Sequence, residues 1–369
     1  MPHSPESSFI KHLDCIEDPR RHNKRHLLHD MLLIALCAVI SGADAWTQVA
    51  EYGRSKIGWF EEFLELPNGI PSHDTFGRLF AKIEPKDFRD FFTRWVGELS
   101  ESLQGKTVAI DGKTLRGSHD RINGRSAIHM VSAWATETRL VLGQLKTDDK
   151  SNEITTIPEL IKTLALEGAI VTIDAMGCQK KITKTIVEAG ADYVIQVKDN
   201  QKNLHDDIAL FFQEPAKEPF DIFETLDGEH GRIETRRYFT TGDIGWLPGK
   251  EEWTGIKTIC MAVRERDVNG ETSTEASYYI SSLENHVPTI AKSIREHWGI
   301  ENGLHWCLDM SFREDLCRVR KDHAPENFGI LRHMAINLLK REKSLKGGLQ
   351  TKRLKAAWDP DYLMKVLTA

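Results

Sequence analysis

Between Lys106 and Asn200 the apolar residues change period several times, and those changes constrain the fold more than any other feature of the chain. KTVAIDGKTLRG, AIHMVSAWAT and RLVLGQLKTD are three apolar runs of strand length, separated by turn residues. Glu153 to Leu166 then has helical spacing, AIVTIDAMG is a fourth strand, Gln179 to Ala189 is helical, and DYVIQVKDN is a fifth strand. Strands joined directly pair as a meander. Strands joined through a helix lie parallel, because only a long crossover returns the chain to the same end of the sheet. The pattern predicts an α/β fold with a mixed sheet flanked by helices.

The flanking stretches read differently. Residues 30–103 look all-helical: Leu27 to Ser41, Trp46 to Leu64, HDTFGRLFAKI with Ser72 as its N-cap, and PKDFRDFFTRWVGEL opening on a proline. Two helices across a short turn fit a helix-turn-helix DNA reader, with Arg78, Lys82, Arg89 and Arg94 as its cations, and fit a plain helical bundle equally. From 205 to about 283 the alternation stops. An acidic, proline-bearing piece leads there to the short strands IETRRYFTTG, IKTICMAVRERD and ASYYISSL, a β-rich insertion. The expected division is a helical part, 1–103, and an α/β part, 104–369, carrying that insertion.

Composition excludes some classes. The net charge of -6 argues against a surface coated in basic residues, although Arg313 to Lys355 holds twelve Lys and Arg against five Asp and Glu. The six cysteines form no C-x-x-C pair, which excludes a zinc ribbon and suits a reducing compartment. The apolar run MLLIALCAVI is too short for a bilayer, which needs about 20 residues. It reads as a buried helix, and the chain as cytoplasmic with no membrane partner. No G-x-G-x-x-G or G-x-x-x-x-G-K-[ST] follows a strand, so a nucleotide enzyme is excluded.

Asp111 and Asp174 share a context, VAID-G and VTID-A: each ends an apolar strand before a turn. A carboxylate there is costly unless it faces a partner or a metal, although a lone turn or capping aspartate has the same appearance. Ser293 to Asp315 reads as one helix in which His297, Glu301, His305 and Asp309 recur every four residues near one side, drifting slowly around the axis. Ile294, Ile300, Leu304 and Leu308 anchor it to a core. A charge stripe facing water has the same spacing. If the two strands are neighbours, Asp111 and Asp174 meet, and Glu301 completes a three-carboxylate cage. Hard oxygen ligands with open positions suit two Mg²⁺ or Mn²⁺ ions and phosphodiester chemistry.

AIDGKTLRGS, KTDDKSNEITTIPEL, TIDAMGCQKKI, VKDNQ, HGRIETR, YYISSL and HWGIENGLHWCLDMSFRED, in that order, resemble the DDE transposases of bacterial insertion sequences, and most of all their H-repeat-associated group. LLHDMLLIALCAVISGADAW and IPSHDTFGRLF resemble the helical domain associated with them. The resemblance implies a ribonuclease-H-like core, a β-rich insertion before the last acidic helix, and a catalytic, metal-holding triad of Asp111, Asp174 and Glu301. In the wider superfamily a Tyr, an Arg and a Lys flank that Glu; here those positions hold Ile294, His297 and Leu308. His297, Trp298, His305 and Trp306 are the candidate substitutes, with Lys113, Arg116 and Arg295 as candidate phosphate contacts.

Trp298 and Trp306 are placed to stack on an unpaired base, or to join the core as most helical tryptophans do. His230, Arg232, Glu234 and Arg236 share one face of a strand, which fits DNA contact or a salt-bridge ladder. Helix Asn327 to Leu339 is expected to bury one face and show Arg332, Lys340 and Arg341 elsewhere. The basic end KREKSLKGGLQTKRLK reads as a phosphate grip or a solvated tail.

The function expected is metal-dependent strand cleavage and 3′-end joining at insertion-sequence ends. The partners are then double-stranded DNA with terminal inverted repeats and target DNA, held by a homodimer at the nucleoid. A nuclease of the same fold without joining, and a DNA-binding remnant without catalysis, are the rival readings.

Overall fold

The computed structural model describes residues 12, 16–21, 24–99, 102–119, 124, 126–147, 153–213, 220–229, 232–268 and 271–369. Its nine strands are β1 (Thr107–Thr114), β2 (His129–Ala135), β3 (Leu140–Lys146), β4 (Ile170–Ile173), β5 (Asp192–Val197), β6 (Asp221–Glu229), β7 (Arg232–Thr241), β8 (Thr258–Val268) and β9 (Glu271–Ser281). They form one sheet in the order β3-β2-β1-β4-β5-β9-β8-β7-β6. The first three strands are an antiparallel meander, and β4 and β5 join parallel to β1. The rest of the sheet is antiparallel.

Two expectations about the strands are corrected. Asp111 does not end β1, because β2 pairs on through Asp111↔Ser132, Gly112↔Val131 and Thr114↔His129. Only the pairing with β4 stops before it. The stretch 205–283 supplies four strands of nine to eleven residues, not three short ones, and they extend the central sheet through β9 and β5. The unforeseen strand is β6, in the acidic piece. Its charges are matched across the ladder: Arg237 Nε lies 2.7 Å from Glu224 Oε2.

The helices are α1 (Leu28–Ile40), α2 (Trp46–Ser55), α3 (Ile57–Phe60), α4 (His73–Phe80), α5 (Pro85–Leu99), α6 (Glu153–Thr163), α7 (Lys180–Glu188), α8 (Lys202–Gln213), α9 (Val287–His297), α10 (Trp306–Met310), α11 (Ala324–Arg341), α12 (Leu349–Trp358) and α13 (Pro360–Leu367). The predicted second helix is broken at Lys56, between α2 and α3. Ser72 caps α4 by accepting from Thr75 N.

The buried centre of the helical layer is α11, enclosed on every side rather than on one face. Asn327 Nδ2 donates to Phe80 O and Ile83 O at 2.8 and 2.9 Å, tying α11 to the N-terminal helices. Asn337 exchanges two hydrogen bonds of 2.9 Å with the backbone of Val141, which covers the outer edge of β3. Arg332 is buried, against expectation, over the Phe328 ring and 3.4 Å from Glu314. The basic end is no solvated tail. Lys352 and Arg353 are buried and donate to the carbonyls of Leu339 and Val39.

Candidate active site

The parallel register of β1 on β4 ends with the pair Ile110↔Ile173. The next residue after each is an aspartate, so Asp111 and Asp174 stand side by side where the β1–β4 pairing ends, although β1 itself continues to Thr114. Asp174 turns the chain: its Oδ1 accepts from Met176 N at 3.1 Å and Gly177 N at 3.3 Å. Burial pushes the Asp111 carboxyl up to about 7, and the charges of Asp174, Glu153 and Glu301 push the same way. Burial and Glu153 raise Asp174 as well.

Glu301 comes from a helical run that starts earlier and stops sooner than expected, and is not a plain α-helix. After α9 the chain makes a π-turn at Glu301–His305 and continues as α10. At 3.6 residues per turn, a step of four overshoots one turn by about 40°. The π-turn takes more residues per turn and removes part of that drift. The stripe therefore stays on the sheet: His297 Nδ1 is 3.1 Å from Thr172 Oγ1, His305 Nδ1 is 3.5 Å from Asp111 Oδ2, and Asp309 Oδ1 is 2.7 Å from Lys113 Nζ. Glu301 opens with Asp174 onto one cavity of about 500 Å³. Gly303 permits this approach, since a Cβ there would come within 2.8 Å of the Trp134 ring. Burial holds His297 and His305 down at about 4, so both imidazoles are neutral near pH 7.

A family model described as transposase DDE domain matches residues 103–338, most of the chain, and a model described as DDE_Tnp_1-associated matches 10–96. The chain belongs to the DDE transposase family. The "H repeat-associated putative transposase YhhI" of Escherichia coli (strain K12) is 41% identical over 97% of this chain and 97% of its own length. The "Putative transposase YncI" of Escherichia coli O157:H7 is 40% identical over 98% of this chain and 95% of its own. A piggyBac transposase synaptic complex with hairpin DNA has 12% identity, covers 99% of this chain and 80% of that one, and has a TM-score of 0.46. The family is one of DNA transposition and uses divalent metal ions. No described helix of this transposase is long and apolar enough to cross a membrane.

The donors suit a hard divalent cation. Asp111, Asp174, Glu301 and Glu153 supply carboxylate oxygens, and the nearby imidazoles of His297 and His305 bring no positive charge. Two of these carboxyls, Asp111 and Asp174, are raised by burial and by neighbouring carboxylates, Glu153 among them for both, a penalty that a cation removes. Among the described residues no three His, Cys, Asp or Glu side chains are close enough to hold an ion. The carboxylates face one another at electrostatic range.

Glu153 escaped the sequence reading. It begins α6, where an acidic residue is expected simply to favour the helix dipole. Its Oε1 lies 2.6 Å from His129 Nε2, and the two side chains cover Gly112. The available signal was its place in the motif KTDDKSNEITTIPEL, just after the third strand.

The other predicted residues fall into distinct settings. Lys113 is enclosed by Asp309, Glu314 and Asp315, at 2.7, 3.2 and 3.5 Å, so its charge is already matched. Arg116 is exposed, with Nε 3.5 Å from Asp315. Arg236 pairs with Asp227 and with the buried Glu234, which Arg266 reaches at 3.3 Å: a salt-bridge ladder lining the cavity of Asp174 and Glu301. Arg295 and Trp298 line that cavity too, with Arg295 3.6 Å from Asp227. Trp298 and Trp306 are 50% and 58% exposed and thus lie outside the core. His230 and the side chain of Arg232 lie outside the described residues.

Proposed function

We propose that this transposase cleaves DNA strands at the ends of an insertion sequence and joins the freed 3′ ends to target DNA, with Asp111, Asp174 and Glu301 as its catalytic, metal-holding residues. The observation that carries the reading is the Ile110↔Ile173 register, which sets the two aspartates side by side. Glu301 faces the same cavity as Asp174. When bound, two Mg²⁺ or Mn²⁺ ions supply activation of the attacking hydroxyl and stabilisation of the leaving oxygen. The protein's own groups do the rest. His305 orients the Asp111 carboxylate, and the Glu153–His129 pair holds further negative charge beside it. Arg295 contacts a phosphate, and the exposed rings of Trp298 and Trp306 stack on bases unpaired at the cut end.

The sheet, with its acidic residues on β1, after β4 and on the following helix, is read as a ribonuclease-H-like core, with 205–283 as the insertion and 1–103 as the associated helical domain. The DNA partner carries terminal inverted repeats, and holding two ends together calls for a homodimer.

The test is a strand-cleavage assay on end-bearing DNA with Mg²⁺, scoring joined products separately from nicks. Asp111→Asn, Asp174→Asn and Glu301→Gln should each abolish both products while leaving the circular dichroism unchanged. Full activity in any one of them removes that residue from the site. Nicks without joined products would make the protein a nuclease.

A further inference from the structure

A cleft of about 1430 Å³, larger than the cavity that Glu301 lines, lies between the N-terminal helices and the β1–β3 meander. The cleft is lined by Arg21 and Arg25 from the segment before α1, Arg78 and Lys82 from α4 and the turn after it, Lys146 of β3, and Arg320 from the segment before α11. Among the described residues, Arg21, Arg25, Lys82 and Lys146 have no carboxylate within ion-pair distance, so their charge is unmatched in a protein whose net charge is -6. The acids on the lining are Glu84, 4.0 Å from His323, and Asp322, which has a partner of its own. The positive band continues into an adjoining hollow of about 520 Å³, which shares Arg78 and Arg320 and adds Arg318 and Lys321.

The sheet registers locate the cleft relative to the carboxylates. Thr114 pairs with His129, and Met130 with Lys146, so Lys146 stands at the end of the sheet toward which β1 runs beyond Asp111. Thr114 lies three steps along the strand from Asp111, about 10 Å at ~3.3 Å per residue. Ser118 closes that end: its hydroxyl donates to Leu115 O at 2.7 Å and accepts from Ile128 N at 2.8 Å. The start of α4, with Ser72 and Thr75, opens on the same cleft and adds the positive end of a helix.

We propose that this cleft seats the phosphodiester backbone of duplex DNA on its way to or from the carboxylates, so that the N-terminal helices and the sheet grip one duplex together. The inference rests on the reading of the protein as acting on DNA, but not on the assignment of the three acidic residues. Phosphate contact is independent of sequence. Each contact therefore adds to the salt dependence of binding rather than to the choice of site.

The test is fluorescence anisotropy of the full-length protein with a short labelled duplex over a range of salt. Arg25→Ala and Lys82→Ala should weaken binding to any duplex. Each should also lower the slope of log Kd against log salt by roughly 0.9 per cation removed. Lys82→Arg, which keeps the charge, should restore the slope. Should Arg25→Ala fail to fold, Lys82→Gln and Lys146→Gln carry the same expectation. Unchanged affinity and slope in the folded charge-removed variants overturn the proposal, as does failure of the unaltered protein to bind duplex at low salt. Asp111→Asn separates the two readings. It should bind duplex with the original slope even though it cannot cut, and a matching loss of binding in that variant would assign the DNA grip to the carboxylate site instead.

Discussion

His305 Nδ1 lies 3.5 Å from Asp111 Oδ2, yet the contact is not an ion pair at neutral pH, because burial pushes the imidazole down to about 4 and the carboxyl up to about 7. The aspartate gains no compensating charge from its nearest histidine. Within the protein, the hydrogen bond from the Gly112 backbone favours its negative form, and burial outweighs it.

The pH dependence of the metal-free protein follows. A carboxyl raised in the folded state keeps a proton that the unfolded chain has already lost. Its contribution to stability is therefore lost as pH rises from about 4 to about 7, and the loss is complete above that. The full effect is up to about 4 kcal/mol. Urea unfolding in chelator should show stability falling across this window, and Asp111→Asn should flatten the fall. Added Mg²⁺ should restabilise the parent above pH 7 and leave the Asn variant little changed.

Gly112→Ala should separate folding from activity. A Cβ at Gly112 would overlap the ends of the Glu153 and His129 side chains, which can swing away, whereas the surrounding strand pairing needs no change. The expected outcome is a stability loss below about 2 kcal/mol with strand cleavage reduced by more than tenfold. Thermal melts and the cleavage assay on the same preparation check it.

Glu153→Gln removes one of the charges that raise Asp111 and Asp174. Both carboxyls should then titrate lower, as carbon-detected NMR of the metal-free protein would show. Titration calorimetry with Mn²⁺ should also give weaker binding, because the site has lost negative charge. An unchanged Asp111 titration would show that Glu153 does not act on it.

Glu342 contributes to the acid limb. Burial would raise it, but hydrogen bonds from the Ser344 side chain, from Tyr362 OH at 2.7 Å and from Ser344 N at 2.6 Å outweigh burial and hold it at about 2. A carboxyl lowered in the folded state contributes stability above its ordinary value of 4.5, and loses it as pH falls toward about 2. The contribution is about 3 kcal/mol. Glu342→Gln should be less stable at pH 7 and show a shallower decline across that window in denaturant titrations.

Much of the fold was legible because it is written in short-range patterns. The meander and the crossovers follow from apolar period and connection type; Ser72 and Pro85 mark helix starts through local backbone chemistry. Asp111 and Asp174 were legible as candidates because an acidic residue after an apolar strand is locally anomalous. Glu153 was not, because an acidic residue opening a helix is locally ordinary.

What the chain alone determined is the alternation of strand and helix and the positions at which a carboxylate breaks it, since these depend on neighbours two to four residues away. Tertiary structure decided the rest. The pairing with β2 carries β1 past Asp111, and the acids of β6 find arginines on β7. The π-turn keeps His297, Glu301, His305 and Asp309 turned to the sheet, and Arg332, Lys352 and Arg353 find buried partners. The physical reason is that the cost of burying a charge depends on which opposite charge or carbonyl stands beside it, and those partners come from parts of the chain far away in sequence.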